Sequence, residues 1–336
     1  MDKRLIDHHA DRIQTAVASN AAAKSALIAS WRRSSRLHRL DPTEHASPRR
    51  LTEIELCEAR QRIEPLLVAA QSTLNRLYLA VGGIGCCVLL ADRDGVPVDR
   101  RGAVADDETF HSWGLWTGAV WSEESEGTNG IGTCLVEQRA LTIHRDQHFY
   151  TRNTLLSCTT APIYDHEGNL VAALDVSSCR ADLTKSFVNL ISMAVVDAAR
   201  RIEAENFRMA FPTARIVLAP MIDKTVEALV AVDADELVVG ATRSARLVLG
   251  ITQDCLKKPL PASNLFSAAS EEPENLAQAE RRVLHRALAR VNGNVSAAAR
   301  LLGVSRATLH RKLKRLDVAR VSQPCDSPVR WCSWTG

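Results

Sequence analysis

Near the carboxyl end lies the stretch that most constrains what this chain can become: Asn292-Gly-Asn-Val-Ser-Ala-Ala-Ala-Arg-Leu-Leu-Gly-Val-Ser-Arg-Ala-Thr-Leu-His-Arg-Lys-Leu-Lys-Arg-Leu316. Its Ala-rich half, Val295 to Leu302, favours helix. Gly303 reaches positive φ at little cost, and Ser305 can accept the first free amides of a second helix. Leu309, Leu313 and Leu316 recur on one face of that helix, while Thr308, Arg311, Lys314 and Arg315 point the other way and Arg306 sits at its exposed start. Helix, tight turn, helix, apolar on one side and basic on the other, suits a helix entering a DNA major groove. A preceding helix, Leu276 to Val291, supplies apolar residues at Leu276, Val283, Leu284, Ala287, Leu288 and Val291.

The charge distribution agrees. From Leu276 to Arg320, eleven Arg and Lys stand against Glu280 and Asp317, about +9; the whole chain is +3, which leaves about −6 elsewhere. Phosphate attraction is therefore local to one end, and the mildly acidic body has another task.

With 336 residues and 46% apolar content, two or three domains with ordinary cores are expected. No apolar run reaches the roughly 18 residues of a membrane-spanning helix. The start, Met1-Asp-Lys-Arg-Leu-Ile-Asp-His-His, lacks a signal peptide's apolar core, so a cytoplasmic protein with no membrane partner is expected. Nine cysteines, with no Cys-x-x-Cys pair and several inside apolar runs, read as reduced thiols, and no metal or cofactor is expected.

Residues 1–50 read as an N-terminal helical segment: an Ala-rich helix from Arg12 to Ile28, then Ser30-Trp-Arg-Arg-Ser34, ended by Pro42 and Pro48. From Leu51 to Val81 the spacing predicts a helix with Leu56, Ile63, Leu66, Leu67, Ala70, Leu74 and Leu77 inward. Gly85 to Asp92 predicts a buried strand ending in the turn Asp92-Arg-Asp-Gly95. Ala140 to His144, Ser157 to Ile163 and Leu170 to Val176 predict three more, the last two joined by a hairpin at Asp165-His-Glu-Gly-Asn169. Leu183 to Phe207 returns as one helix with Phe187, Leu190, Ile191, Val195 and Ile202 inward. Helix, antiparallel sheet, helix makes residues 51–210 an α+β sensor-like domain. Residues 211–266 hold a strand, an acidic turn, a strand and a helix closed by Gly250, and resemble the opening of a PAS domain. Residues 267–275 read as an acidic linker, 276–320 as an all-α DNA-binding domain and 321–336 as a disordered tail.

Within the sensor-like domain, Phe110 to Thr133 holds three tryptophans beside Gly127-Thr-Asn-Gly-Ile-Gly132, in a chain only 4% aromatic. Rings supply apolar area and glycines let backbone approach a ligand, so a small-molecule cavity is one reading and an aromatic core with tight turns the other. A phosphate loop is excluded, because the Gly-Lys-Ser/Thr ending is missing.

Larger resemblances sit on these residues. Asn294-Val-Ser-Ala-Ala-Ala, Leu302-Gly-Val-Ser-Arg-Ala-Thr-Leu and Arg311-Lys-Leu-Lys-Arg-Leu resemble the DNA-binding module of the Fis family. That resemblance implies a dimer formed by Leu276 to Val291 that reads double-stranded DNA through Ser305, Arg306, Thr308, His310, Arg311 and Lys312; the outward direction of Lys314 adds it. Glu126-Gly-Thr-Asn-Gly-Ile-Gly-Thr133, His148-Phe149, Leu156 to Ile163 and Gly168 to Val176 resemble the GAF sensor domain of acetoin-catabolism-type regulators, as does Ser30-Trp-Arg-Arg-Ser34 ahead of Leu40-Asp-Pro42. The resemblance implies a small-molecule effector held near Thr128, Asn129, Ile131, His148 and Cys158, to which the chemistry adds Trp113, Trp116 and Trp121. A haem on His148 is the minor alternative.

Such regulators resemble this chain except between sensor and DNA-binding domains, where they carry an ATPase module that works with sigma-54 polymerase. Phe211 to Asn275 is about 65 residues, too short for it, and no Gly-x-x-x-x-Gly-Lys-Ser/Thr occurs. The expected function is effector-dependent, sequence-specific DNA binding without ATP hydrolysis, as a repressor, a recruiter of RNA polymerase or a partner of a full-length paralogous regulator. An architectural DNA binder and a thiol enzyme using Cys86, Cys87, Cys134 or Cys158 are the alternatives from other classes.

Overall fold

Two helices, α1 (Lys3–Ala18) and α2 (Ala26–Arg32), open the chain where one was expected from Arg12 to Ile28. Ser25 starts the second by accepting the Ile28 amide, and the backbone then widens into a π-helical turn over Arg33–Leu37. The computed structural model describes residues 3–19, 25–180, 182, 184–219, 227–266, 276–291 and 293–316, and the chain divides into two compact units meeting between Phe266 and Ser267. The expected linker 267–275 and tail 321–336 lie outside the described residues, as do Leu183 and Asn292.

The helical pattern of 51–81 also splits. Thr52 and Glu55 cap each other at the start of α3 (Glu53–Arg62). The chain restarts as α4 (Glu64–Val81), with Pro65 in its first turn, where a proline ring is tolerated and an uninterrupted helix is not. Leu56 to Leu77 keep one inward face across the break.

A five-stranded sheet follows, built from β1 (Cys86–Asp92), β2 (Pro97–Arg101), three helices α5 (Asp107–Ser112), α6 (Glu123–Glu126) and α7 (Gly130–Glu137), then β3 (Leu141–His144), β4 (Ser157–Tyr164) and β5 (Leu170–Ser178). The order is β2-β1-β5-β4-β3, with every neighbouring pair antiparallel. Strand β2 was not expected. Its Asp99-Arg-Arg carries no apolar run, because it is an edge strand that buries only Pro97 and Val98. The chain returns in α8 (Lys185–Ala210), capped by Thr184.

The two sheet faces bury different material. Val88, Leu90, Leu174 and Val176 pack under α4 and α8, and Cys87, Leu89, Cys158 and Ala173 pack under the segment running from α5 to α7. On α8, Ile191, Val195 and Ile202 face inward as expected. Phe187 and Leu190 do not: they are 47% and 62% exposed.

Three short strands, β6 (Arg215–Leu218), β7 (Leu229–Val232) and β8 (Val238–Ala241), form a second antiparallel sheet. With α9 (Arg243–Leu249), α10 (Gln253–Leu256) and α11 (Ser263–Phe266) they enclose Val230, Val232, Val238, Ala245 and Ile251. The second unit is α12 (Leu276–Arg290), α13 (Val295–Leu301) and α14 (Arg306–Arg315).

Candidate functional site

Local chemistry sets the corner between α13 and α14. Asn294 caps α13 by accepting the Ala297 amide at 3.1 Å; Gly303 turns the chain at φ 63°; Ser305 caps α14 by accepting the Thr308 amide at 3.1 Å. Leu309 and Leu313 close onto Leu284, Leu288, Ala298 and Ala299, the alanines letting the helices approach. The opposite side of α14 exposes Arg306, Arg311 and Lys314. Other residues expected at the DNA are placed differently. Ser305 spends its oxygen on the cap, Thr308 and His310 are half-buried, and Lys312 is ion-paired to Glu280 of α12, which also holds Arg315.

In the first unit, the expected effector residues fall into two groups. Asn129 and Thr128 belong to a polar seam. Asn129 caps α7 by accepting the Gly132 amide at 2.8 Å, so the Gly-rich stretch is helical from Gly130 onward. Gly130 lets that helix start reach the sheet: a Cβ there would stand 2.6 Å from Thr160 Oγ1 and 2.9 Å from Asp175 Oδ1. Thr128 is fully buried 2.7 Å from the Ser30 hydroxyl, which donates to Glu123 Oε2 at 2.8 Å. Arg33 supplies the matching charge, with Nε 2.5 Å from Glu123 Oε1 and Nη2 2.8 Å from Glu137 Oε1. The Trp31 indole donates to the Gln147 carbonyl at 2.8 Å, so the Ser30-Trp-Arg-Arg-Ser34 signature is bonded into the sensor-like domain.

His148 and Cys158 meet beneath this seam. His148 Nδ1 donates to the Arg145 carbonyl at 2.9 Å, leaving Nε2 as the acceptor 3.4 Å from Cys158 Sγ. Burial pushes the imidazole down to about 4, so it stays neutral. Burial raises the thiols of Cys86, Cys87, Cys134 and Cys158, the opposite of what a nucleophile needs. Ile131 and Trp121 are buried in the same layer, and the Trp121 indole donates to the Gly114 carbonyl at 2.8 Å. Trp113 packs half-buried beside them, while Trp116 lies against Arg100 instead.

Charged groups the sequence did not single out sit in this layer. Asp175, in the middle of β5, accepts from Thr160 at 2.5 Å and Ser177 at 2.6 Å, and burial pushes its carboxyl up to about 6. Burial likewise pushes Glu126 up to about 7, against the pull of Arg152 2.6 Å away. An open recess of about 180 Å³ touches Leu27, Thr133, Arg139, Leu141 and Gln147, and none of the expected effector residues lines it. Among the described residues no His, Cys, Asp and Glu gather in a group that could hold a metal ion, and no helix is long and apolar enough to cross a membrane.

Comparison with known proteins matches both regions. Residues 65–202 match the GAF domain model, and residues 275–316 match the model of the Fis family of bacterial regulatory proteins. The acetoin catabolism regulatory protein of Cupriavidus necator is 37% identical over 239 residues, 70% of this chain and 36% of that protein. The acetoin dehydrogenase operon transcriptional activator AcoR of Bacillus subtilis is 27% identical over 189 residues, 56% of this chain and 31% of that protein. The chain thus spans about a third of the length of these curated relatives. In fold it resembles the solved complex of E. coli DhaR(N) with DhaL: TM-score 0.50, 15% identity, covering 79% of this chain and 86% of that one. The chain carries a GAF domain and a Fis-type helix-turn-helix, and these relatives are transcriptional regulators. Residues 203–274, between the two matches, hold no nucleotide-binding Gly-x-x-x-x-Gly-Lys-Ser/Thr.

Proposed function

We propose that this chain, a GAF and Fis-type helix-turn-helix protein, is a cytoplasmic, effector-responsive regulator of transcription that binds operator DNA as a homodimer and hydrolyses no ATP. The observation that carries this reading is the outer side of α14, where Arg306, Arg311 and Lys314 are exposed on a helix anchored by Leu309 and Leu313. Three exposed cations on a rigid helix suit phosphate and base-edge contacts. On α12, Leu276 is 89% exposed and Val283 is exposed beside it, apolar surface that a second copy would cover. Inverted half-sites about one helical turn apart follow from that pairing. Without a nucleotide-binding sequence the chain would act by occupying its operator, alone, with RNA polymerase or beside a full-length paralogue. Selection of bound fragments from random duplex DNA, followed by fluorescence anisotropy at moderate salt, tests this. An inverted repeat bound about 1,000-fold more tightly than random DNA is the expected result. Equal affinity for all sequences would overturn it in favour of an architectural binder.

A further inference from the structure

Arg100, on β2, is a half-buried cation, two of whose nitrogens are buried without a hydrogen-bond partner. Its side chain is only 10% exposed. The guanidinium carbon stands 4.1 Å from the centre of the Trp116 ring and 5.6 Å from that of Phe110, so the cation lies over two aromatic faces. Nη1 is 2.8 Å from Asp107 Oδ1, an ion pair without hydrogen-bond alignment, and both Nε and Nη2 are buried with no hydrogen-bond partner. Desolvating a guanidinium and leaving its donors unmet is costly unless something else answers them. Nε and Nη2 share one edge of the planar group, and their two parallel N–H vectors match the two oxygens of a carboxylate.

The surroundings fit such a guest. Arg100 pairs with Leu89 across β1, and Leu89 pairs with Asp175 across β5, so all three lie in one row of the sheet face under α5 to α7. Gly102 lets the cation pack directly against the backbone, since a Cβ there would stand 2.4 Å from Nη2. Asp107 Oδ1, the oxygen facing Nη1, is buried and likewise has no hydrogen-bond partner.

We propose that Arg100 anchors the effector of the GAF domain, and that the effector is a small monocarboxylate whose apolar body lies against the half-buried Trp116 ring. This rests on the effector-responsive reading above and names the ligand class for it. Isothermal titration of the full chain with butyrate and 2-oxobutyrate, and with butyramide and inorganic phosphate as controls, tests it. At least one carboxylate binds saturably, and butyramide and phosphate bind about tenfold more weakly or worse. Arg100→Gln and Gly102→Ala, each checked for an unchanged circular dichroism spectrum, lose about tenfold in carboxylate affinity. Because Gly102→Ala displaces Nη2 but keeps the charge, it answers the question if Arg100→Gln does not fold. Binding of neither carboxylate, equal binding of butyramide or phosphate, or full affinity in a folded Arg100→Gln overturns the proposal. Carboxylate binding that leaves operator affinity unchanged would overturn the regulator reading and support the Arg100 site. Operator affinity that responds only to neutral metabolites would support the regulator reading and overturn the Arg100 site.

Discussion

Ser30 and Glu123 are 93 residues apart in the chain, yet the Ser30 hydroxyl donates to the Glu123 carboxylate at 2.8 Å in the protein interior. A hydroxyl has one proton, so Thr128 at 2.7 Å and Thr133 at 3.3 Å must act as donors to Ser30. Arg33, three residues on, brings the charge that compensates the buried Glu123. The N-terminal signature thus holds together the loop and helix start that the sequence marked as the effector region.

Removing Arg33 leaves Glu123, only 2% exposed, as an unpaired buried carboxylate. Loss of one partner of such a pair costs about 3 kcal/mol, more than the pair is worth against an apolar replacement. Urea unfolding of Arg33→Ala is therefore expected to show a loss of about 3 kcal/mol, and Ser30→Ala one of about 1–2 kcal/mol from its unmet acceptor. If Arg33→Ala unfolds like the wild type, the Arg33–Glu123 pair does not hold this seam together.

Glu203 sets a pH dependence. Its Oε1 accepts the Tyr164 amide at 2.8 Å, and burial pushes its carboxyl up to about 7 from an ordinary 4.5. The folded chain holds this proton more tightly than the unfolded chain. The stability it contributes is fully present below about pH 4 and is lost as pH rises through 7. Glu203→Gln keeps an acceptor for Tyr164 and removes the titration. The variant should match the wild type at pH 4.5 and exceed it by about 2 kcal/mol at pH 8 in urea unfolding. Equal stability at both pH values would mean that water reaches the carboxyl.

Where a feature depends on neighbours in sequence, it was legible. Ser305, Gly303, Leu309 and Leu313 define the corner of α13 and α14 by capping, backbone freedom and helical spacing, and all act as expected. Strands β1, β4 and β5 are apolar runs bounded by turns, and were found within two residues of their ends. What escaped depends on partners far along the chain. Asp99-Arg-Arg reads as solvated, yet it forms an edge strand and the Arg100 guanidinium lies over the Trp116 ring. Phe187 and Leu190 fit an inward helical face by period, but both stay largely exposed. Ser30 and Arg33 read as one side of a basic helix, and only the fold brings Glu123 to them.

Glu280 restrains two cations of the recognition helix, Lys312 and Arg315. Neither can meet a phosphate while held there, so Glu280→Gln should strengthen binding to random DNA and steepen its salt dependence by about one to two phosphate contacts. Anisotropy titrations across a salt series measure both. An unchanged slope would mean that Lys312 and Arg315 stay off the DNA even when released.

Arg306 and Lys314 are both exposed on α14 but at opposite ends, and the two should fail differently. Arg306 follows the Ser305 cap at the start of the helix, the end that reaches base edges when a recognition helix enters the major groove. Arg306→Ala should cost about 1–3 kcal/mol on the selected operator and little on random DNA, so the specificity ratio falls. Lys314 lies a little over two turns further on, where a flexible ammonium meets the phosphate backbone. Lys314→Ala should weaken both kinds of DNA alike and lower the salt slope by about one unit. Equal losses from the two substitutions on operator and random DNA would show that α14 meets the duplex with a different face.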